Sequence, residues 1–271
     1  MSYLVRSFIA LNLALLPAVP SAAHEFWIDP VAYEISADDR IEAHLRVGSN
    51  YDGTSMVYLP RNFSRFDVAL GDDLIPVEGR MGARPALQMD APGEGLAVVL
   101  YEATNNIVNW DEWDRFAGFC EHKDFTEVLD RHVARGLPES GFTESYTRHA
   151  KSLVAIGAGA GADREFGLRT EFVALANPYA DDVSGGLPVR LLLEGEPRRD
   201  VQVELWDRAP DGDISVVKYR TDQAGEALLP VAPGHIYMAD SVVMLEVEPE
   251  SAGDPVWHSL WASLTFAVPA E

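Results

Sequence analysis

The chain has 271 residues, with 21 Lys and Arg against 43 Asp and Glu, a formal charge of −22. That balance excludes nucleic acid as a partner, because a phosphate backbone is bound through clustered basic side chains, and it disfavours docking on an anionic membrane. Hydrophobic content of 47% suits one large or two small globular domains, while the single cysteine, Cys120, excludes an intramolecular disulfide and any multi-thiolate metal site.

Residues 1–23, MSYLVRSFIALNLALLPAVPSAA, read as an export signal. Arg6 is the only charge, an apolar run from Phe8 to Val19 follows, and Ser21-Ala22-Ala23 supplies the small residues of a cleavage site. The run is short for a membrane-spanning helix. The expected mature chain starts at His24, is periplasmic or secreted, and has no stable membrane insertion after cleavage.

HEFWIDP then opens a short apolar segment. In IEAHLRVGS, Ile41, Ala43, Leu45 and Val47 alternate with Glu42, His44 and Arg46, the pattern of a half-buried strand. SRFDVALGDDLIPVEG reads as two strands about a Gly-Asp-Asp turn, and GLAVVLYEAT as a short apolar strand. These elements predict a β-sandwich domain over 24–165. From Trp110 the spacing becomes helical, with Trp113, Phe116, Ala117 and Cys120 followed by Val128, Leu129, His132 and Val133. Gly136-Leu137-Pro138 ends that run. A second helical piece is expected around FTESYTRHAKSLVAIG, so that a helical excursion covers about 110–156. GAGAGADRE reads as a flexible loop.

Beyond it, strands return from FGLRTEFVAL to WHSLWASLTFAV with Gly, Pro and Asp turns. They predict a second Ig-like β-sandwich over 166–271. There, EGEPRRDVQVELWD and TDQAGEALLPVAPG resemble transthyretin-like and carboxypeptidase-regulatory-like domains. The expected fold is mainly β, two β-sandwich domains with a helical excursion inserted after the first.

HEFWIDP after the signal, then RVGSNYDG, YTRHAKSLV, ANPYA and the closing WHSLWASLTF occur in this order. Together they resemble the periplasmic domain-of-unknown-function 4198 family, often labelled as periplasmic components of cobalt or nickel uptake systems. The resemblance implies a β-rich periplasmic protein that handles transition metals beside a metal-uptake transporter. Where relatives often carry a histidine-glycine pair, this chain has Ser49-Asn50, which weakens any site built on that histidine.

Cleavage before His24 would put an α-amine and an imidazole on one residue. Amine and Nδ1 could then close a chelate on copper, nickel, cobalt or zinc. The chelate needs a partner. His258, in the last strand, is the candidate, with a core-edge histidine hydrogen-bonded to backbone as the plainer alternative. Glu25 is adjacent to His24, but strand alternation turns its side chain the opposite way. His44 reads as a solvated strand position and His235 as a turn residue. His122 and His132 lack the i, i+4 spacing of a metalloprotease pair, and His149 lies among basic residues.

The chain has no GxSxG elbow and no phosphate-binding loop. Asp72-Asp73 and Asp181-Asp182 look like turns, not calcium loops. Three function classes follow. The first is a metal-binding or delivery protein that makes no bond. The second is a histidine-brace copper enzyme. The third is a metal-free β-sandwich adaptor.

Overall fold

Residues 96–101 are apolar at every position, a pattern that calls for a strand covered on both faces. The computed structural model, which describes residues 24–270, has such a strand near its centre; the segment 1–23, read above as an export signal, lies outside the described residues. In chain order the strands are β1 (Glu25–Pro30), β2 (Glu34–Ile35), β3 (Arg40–Ser49), β4 (Asp52–Met56), β5 (Phe63–Leu70), β6 (Asp73–Pro76), β7 (Leu87–Asp90), β8 (Gly95–Ala103) and β9 (Asn106–Trp110). Two short helices follow, α1 (Trp113–His122) and α2 (Thr126–Ala134). Then come β10 (Phe142–Ile156), β11 (Thr170–Ala174), β12 (Leu187–Leu193), β13 (Glu196–Pro197), β14 (Gln202–Arg208), β15 (Ile214–Arg220), β16 (Glu226–Leu229), β17 (Ile236–Glu246) and β18 (Trp257–Ala267).

The protein is mainly β. Ten strands form one sheet in the order β15-β14-β17-β18-β10-β8-β5-β6, with β2 and β9 also paired to β10. A four-stranded sheet, β1-β3-β4 with β7 on β3, and another, β11-β12-β13 with β16 on β12, complete the described sheets. The period of two along β8 explains why it is apolar throughout. Leu96, Val98 and Leu100 enter a core with Phe172, Val189 and Leu264. Ala97, Val99 and Tyr101 enter a different core with Phe26, Ile41 and Leu45. The large sheet takes strands from both sides of residue 165, while each of the two smaller sheets lies wholly on one side of it. Alternation shows how many faces of a strand are covered; it does not name the neighbouring strand.

The helical spacing read from Trp110 onward is a hairpin of α1 and α2. Asp124 breaks it at φ 63°, a left-handed conformation that Asp tolerates better than most residues. Phe116, Phe119, Cys120 and Val128 pack under Val242, Met244, Trp257 and Trp261 of β17 and β18. The second helical piece expected around 142–157 is instead the fifteen-residue strand β10. It runs parallel to β18 and antiparallel to β8 and β9. Its Ala, Lys and Leu content favours helix, but pairing on both edges overrides that weak local preference. GAGAGADRE is anchored rather than free: Asn177 Nδ2 donates to the carbonyls of Gly159 and Gly161, and the Leu96 amide donates to Ala160.

Candidate metal centre

β1 is buried at all six positions, although it is the edge strand of its sheet and pairs only with β3. Its alternation divides the side chains. Phe26 and Ile28 enter the core beneath β3. Glu25, Trp27 and Asp29 project the other way and meet the alternate residues of β14. Glu25 and Glu204 share one ammonium partner, Trp27 and Trp206 share an apolar cluster with Tyr51 and Met238, and Asp29 pairs with Arg208. The result is a stripe that is charged at each end and aromatic in the middle.

At one end, α1 delivers two side chains. Its last residue is His122, whose carbonyl accepts hydrogen bonds from Gln202 Nε2 at 2.9 Å and Lys218 Nζ at 2.7 Å. These donors satisfy a helix-end carbonyl that the helix itself leaves unpaired. Lys123 follows, and its Nζ lies 2.6 Å from Glu204 Oε2, 2.9 Å from Asp240 Oδ2 and 3.2 Å from Glu25 Oε1. Trp261 lies beneath the ammonium, with its ring centroid 5.1 Å away. All four charged residues are buried. Glu204 and Asp240 are direct cross-strand partners of β14 and β17, which places both carboxylates on one face.

Three carboxylates face two ammonium groups, Lys123 and, 3.6 Å from Glu204 Oε1, the exposed Lys218. Burial would raise the Glu204 carboxyl, but hydrogen bonds and charge from His122 and Lys123 outweigh it and hold Glu204 down at about 2. Asp240 is pushed up to about 7 by burial, with Glu25 and Glu204 adding to the rise and Lys123 opposing it. Lys123 is held firmly protonated, because its three carboxylates outweigh its own burial. Beside this buried set, His122 Nε2 lies 3.0 Å from Glu204 Oε1. One ligand atom each from Glu25, His122 and Glu204 lies within 4.8 Å of the others. One imidazole and two carboxylates within that span are a donor set for a divalent transition metal. His122 is partly exposed, so the group has a solvent side.

His24 is exposed, with Nδ1 hydrogen-bonded to Ser49 Oγ at 3.0 Å and its carbonyl accepting from Arg148 Nη2 at 3.0 Å. It lines a cavity of about 180 Å³ with Glu144, Tyr146, Arg148 and Trp261. His258 is half-buried, with Nδ1 2.7 Å from Ser145 Oγ. Ser145 and His258 are register partners and alternate to the face opposite Glu144 and Trp261. The structure therefore does not bring His258 to His24.

The other histidines are occupied. His44, read as solvated, is half-buried against Ser55. His132 is buried between Trp257 and the Pro138 carbonyl. His149 is buried by β18, and burial pushes its imidazole down to about 4. His235, read as an exposed turn residue, pairs with Asp207 at 2.7 Å.

Sequence patterns alone do not single out Glu25, His122 and Glu204. Alternation turns Glu25 away from His24, and that orientation is what brings it to Lys123. Acidic residues embedded in apolar strands, Glu204 in VQVELWD and Asp240 in IYMADSVVM, are the available signal, since an isolated buried charge is costly and must find a partner.

These features define a class: a mainly β protein with a two-helix insertion after β9 and, at the end of α1, a group of two buried carboxylates and an exposed imidazole. The chain belongs to the DUF4198 family, a domain of unknown function, whose model matches residues 21–244. No curated protein matches it. Among solved structures, the D0-D1 domain of Intimin is similar at 13% identity over 90% of this chain and 97% of that one, with a TM-score of 0.22. A tetra-tandem repeat in the extending region of a large adhesion protein is similar at 9% identity over 90% of this chain and 49% of that one, with a TM-score of 0.23. Superpositions this loose carry no argument about fold or function.

Proposed function

We propose that this protein captures a divalent transition-metal ion outside the cytoplasm through Glu25, His122 and Glu204 and presents it to a metal-uptake transporter. The observation that carries the reading is the approach of those three ligand atoms to within 4.8 Å of one another. The charge balance supports it: three buried carboxylates face only Lys123 and, 3.6 Å from Glu204, Lys218, which leaves one negative charge for a further cation to offset. Nickel, cobalt, copper and zinc all accept such nitrogen and oxygen ligands, and affinity alone favours copper. A binding and delivery role fits better than a copper enzyme of histidine-brace type. A brace needs two histidines on one ion, and His24 and His258 belong to opposite faces of the β10–β18 pair. The export signal and the family resemblance support a place in the periplasm beside a transporter.

Calorimetric titration of the full chain, purified from an exporting host, with Ni(II), Co(II), Cu(II) and Zn(II) tests the reading. His122→Ala and Glu204→Gln are expected to weaken binding by about tenfold or more, a cost of at least about 1.4 kcal/mol. His24→Ala and His258→Ala are expected to bind as the parent does. Loss of binding in His24→Ala with none in His122→Ala would move the site to a terminal chelate. No binding of any ion would leave the metal-free adaptor.

A further inference from the structure

The other end of the β1–β14 stripe has the opposite electrostatic character. Asp29 is buried, and its carboxylate bridges two guanidiniums: Arg46 Nε at 2.5 Å from Oδ2 and Arg208 Nη2 at 3.1 Å from Oδ1. Each guanidinium carries five N–H donors. Arg46 spends two of them, one on Asp29 and one on the Gly53 carbonyl at 3.0 Å, and Arg208 spends one. Among the described residues, seven donors therefore remain unspent, and the Asp29–Arg46–Arg208 group carries one net positive charge in a chain whose formal charge is −22. The two arginines line an open cavity of about 600 Å³, within the range of small-molecule sites.

Tyr33 lines the same cavity with its ring, while its buried hydroxyl faces Thr265 and the Tyr51 hydroxyl. The Arg208 guanidinium lies 4.9 Å above the Tyr51 ring, which holds it beside Asp29. The remaining wall is largely apolar, with Pro30, Val31, Ile236 and Val268. Val31 is 60% exposed, a large apolar side chain at the mouth. Glu34 also lines the cavity, but it is exposed to solvent, where its charge is screened.

We infer that this cavity binds a small organic molecule carrying one carboxylate on an apolar body. The carboxylate takes the free guanidinium donors of Arg46 and Arg208, which suit planar two-point recognition. A single negative charge balances the single surplus positive charge, which a phosphate dianion would overshoot. The apolar body lies along Val31, Ile236 and Val268. The inference is independent of the metal reading, since the two sites occupy opposite ends of the stripe.

Titrating the full chain at low ionic strength with hexanoate, benzoate, inorganic phosphate and hexanol tests it. Hexanoate and benzoate are expected to bind saturably, phosphate more weakly, and hexanol not at all. Arg208→Gln and Arg46→Gln should weaken hexanoate binding by about tenfold or more, while leaving metal binding as in the parent. Asp29→Asn removes the competing internal carboxylate and should tighten hexanoate binding if the variant melts cooperatively. Should the Gln variants fail to fold, Arg46→Lys keeps the charge beside Asp29 while losing the fork, and weaker hexanoate binding is still expected. No saturable carboxylate binding by the parent would overturn the inference. So would phosphate binding in its place, or unchanged hexanoate binding in folded Arg46 and Arg208 variants.

Discussion

Lys123 Nζ lies 2.6 Å from Glu204 Oε2, across 81 residues of sequence. The contact ties the end of α1 to β14 and, through Glu25 and Asp240, to β1 and β17. Lysine occupies the one place from which a single cation reaches three buried carboxylates.

Replacing that cation exposes the dependence. Lys123→Met retains the apolar stem but leaves Glu25 and Asp240 without their cation, and Glu204 with only His122 and Lys218. Breaking a buried ion pair by removing one partner costs about 3–5 kcal/mol, and a loss of that size is expected in urea unfolding. Nickel or zinc at a concentration well above its dissociation constant should restore part of it by mass action. An undiminished stability would show that the carboxylates are already protonated.

Glu144 makes a pH prediction. It is buried, accepts a hydrogen bond from Trp110 Nε1 at 2.9 Å and another from Ser259 Oγ, and has no cation at ion-pair distance among the described residues. Burial raises its carboxyl from 4.5 to about 7, against the opposing effect of both hydrogen bonds. The folded chain therefore holds this proton more tightly than the unfolded chain. The associated stability is fully present below about 4.5 and is lost as pH rises to about 7. Between pH 5 and 8 this group should cost the parent up to about 3 kcal/mol. Chemical denaturation across that range should show a shallower decline in Glu144→Gln.

Trp257 clamps the helical hairpin. Its Nε1 donates to His132 Nδ1 at 3.0 Å, and the guanidiniums of Arg131 and Arg135 lie 5.4 and 5.0 Å from its ring centroid. Trp257→Ala should destabilise the chain by about 3–5 kcal/mol. Hydrogen exchange should quicken first in 113–135, which packs on this ring, and a uniform increase over the whole chain would contradict a clamp.

Lys151, fully buried on β10, holds the segment after that strand. Its Nζ lies 2.7 Å from Asp163 and 3.6 Å from Glu171, and it donates to the Arg164 carbonyl at 3.0 Å. Lys151→Met should lower stability by about 3–5 kcal/mol and raise exchange most strongly in 157–169.

The patterning of single strands is legible in the residues themselves. The alternation of Ile41, Ala43 and Leu45 is realised in β3, where those residues are buried and Glu42, His44 and Arg46 are half-exposed. The helical spacing around Phe116 and Cys120 is realised in α1. Residues 142–156 mislead because their composition suits either state, and only their neighbours on both edges settle it. His24 stands out in the sequence because its chelating pair belongs to one residue. Glu25, His122 and Glu204 do not, because their chemistry exists only in combination.

The sequence by itself determined which faces of most strands are apolar, where a helical stretch interrupts them, and the family to which the chain belongs. These are local signals, with periods of two or 3.6 residues. Tertiary structure alone decided that strands from both halves share one sheet, and that β1 lies across from β14. Side-chain period carries no information about partner or register between distant segments. The carboxylate–imidazole group at one end of the β1–β14 stripe and the arginine pair at the other therefore arise only once the chain has closed.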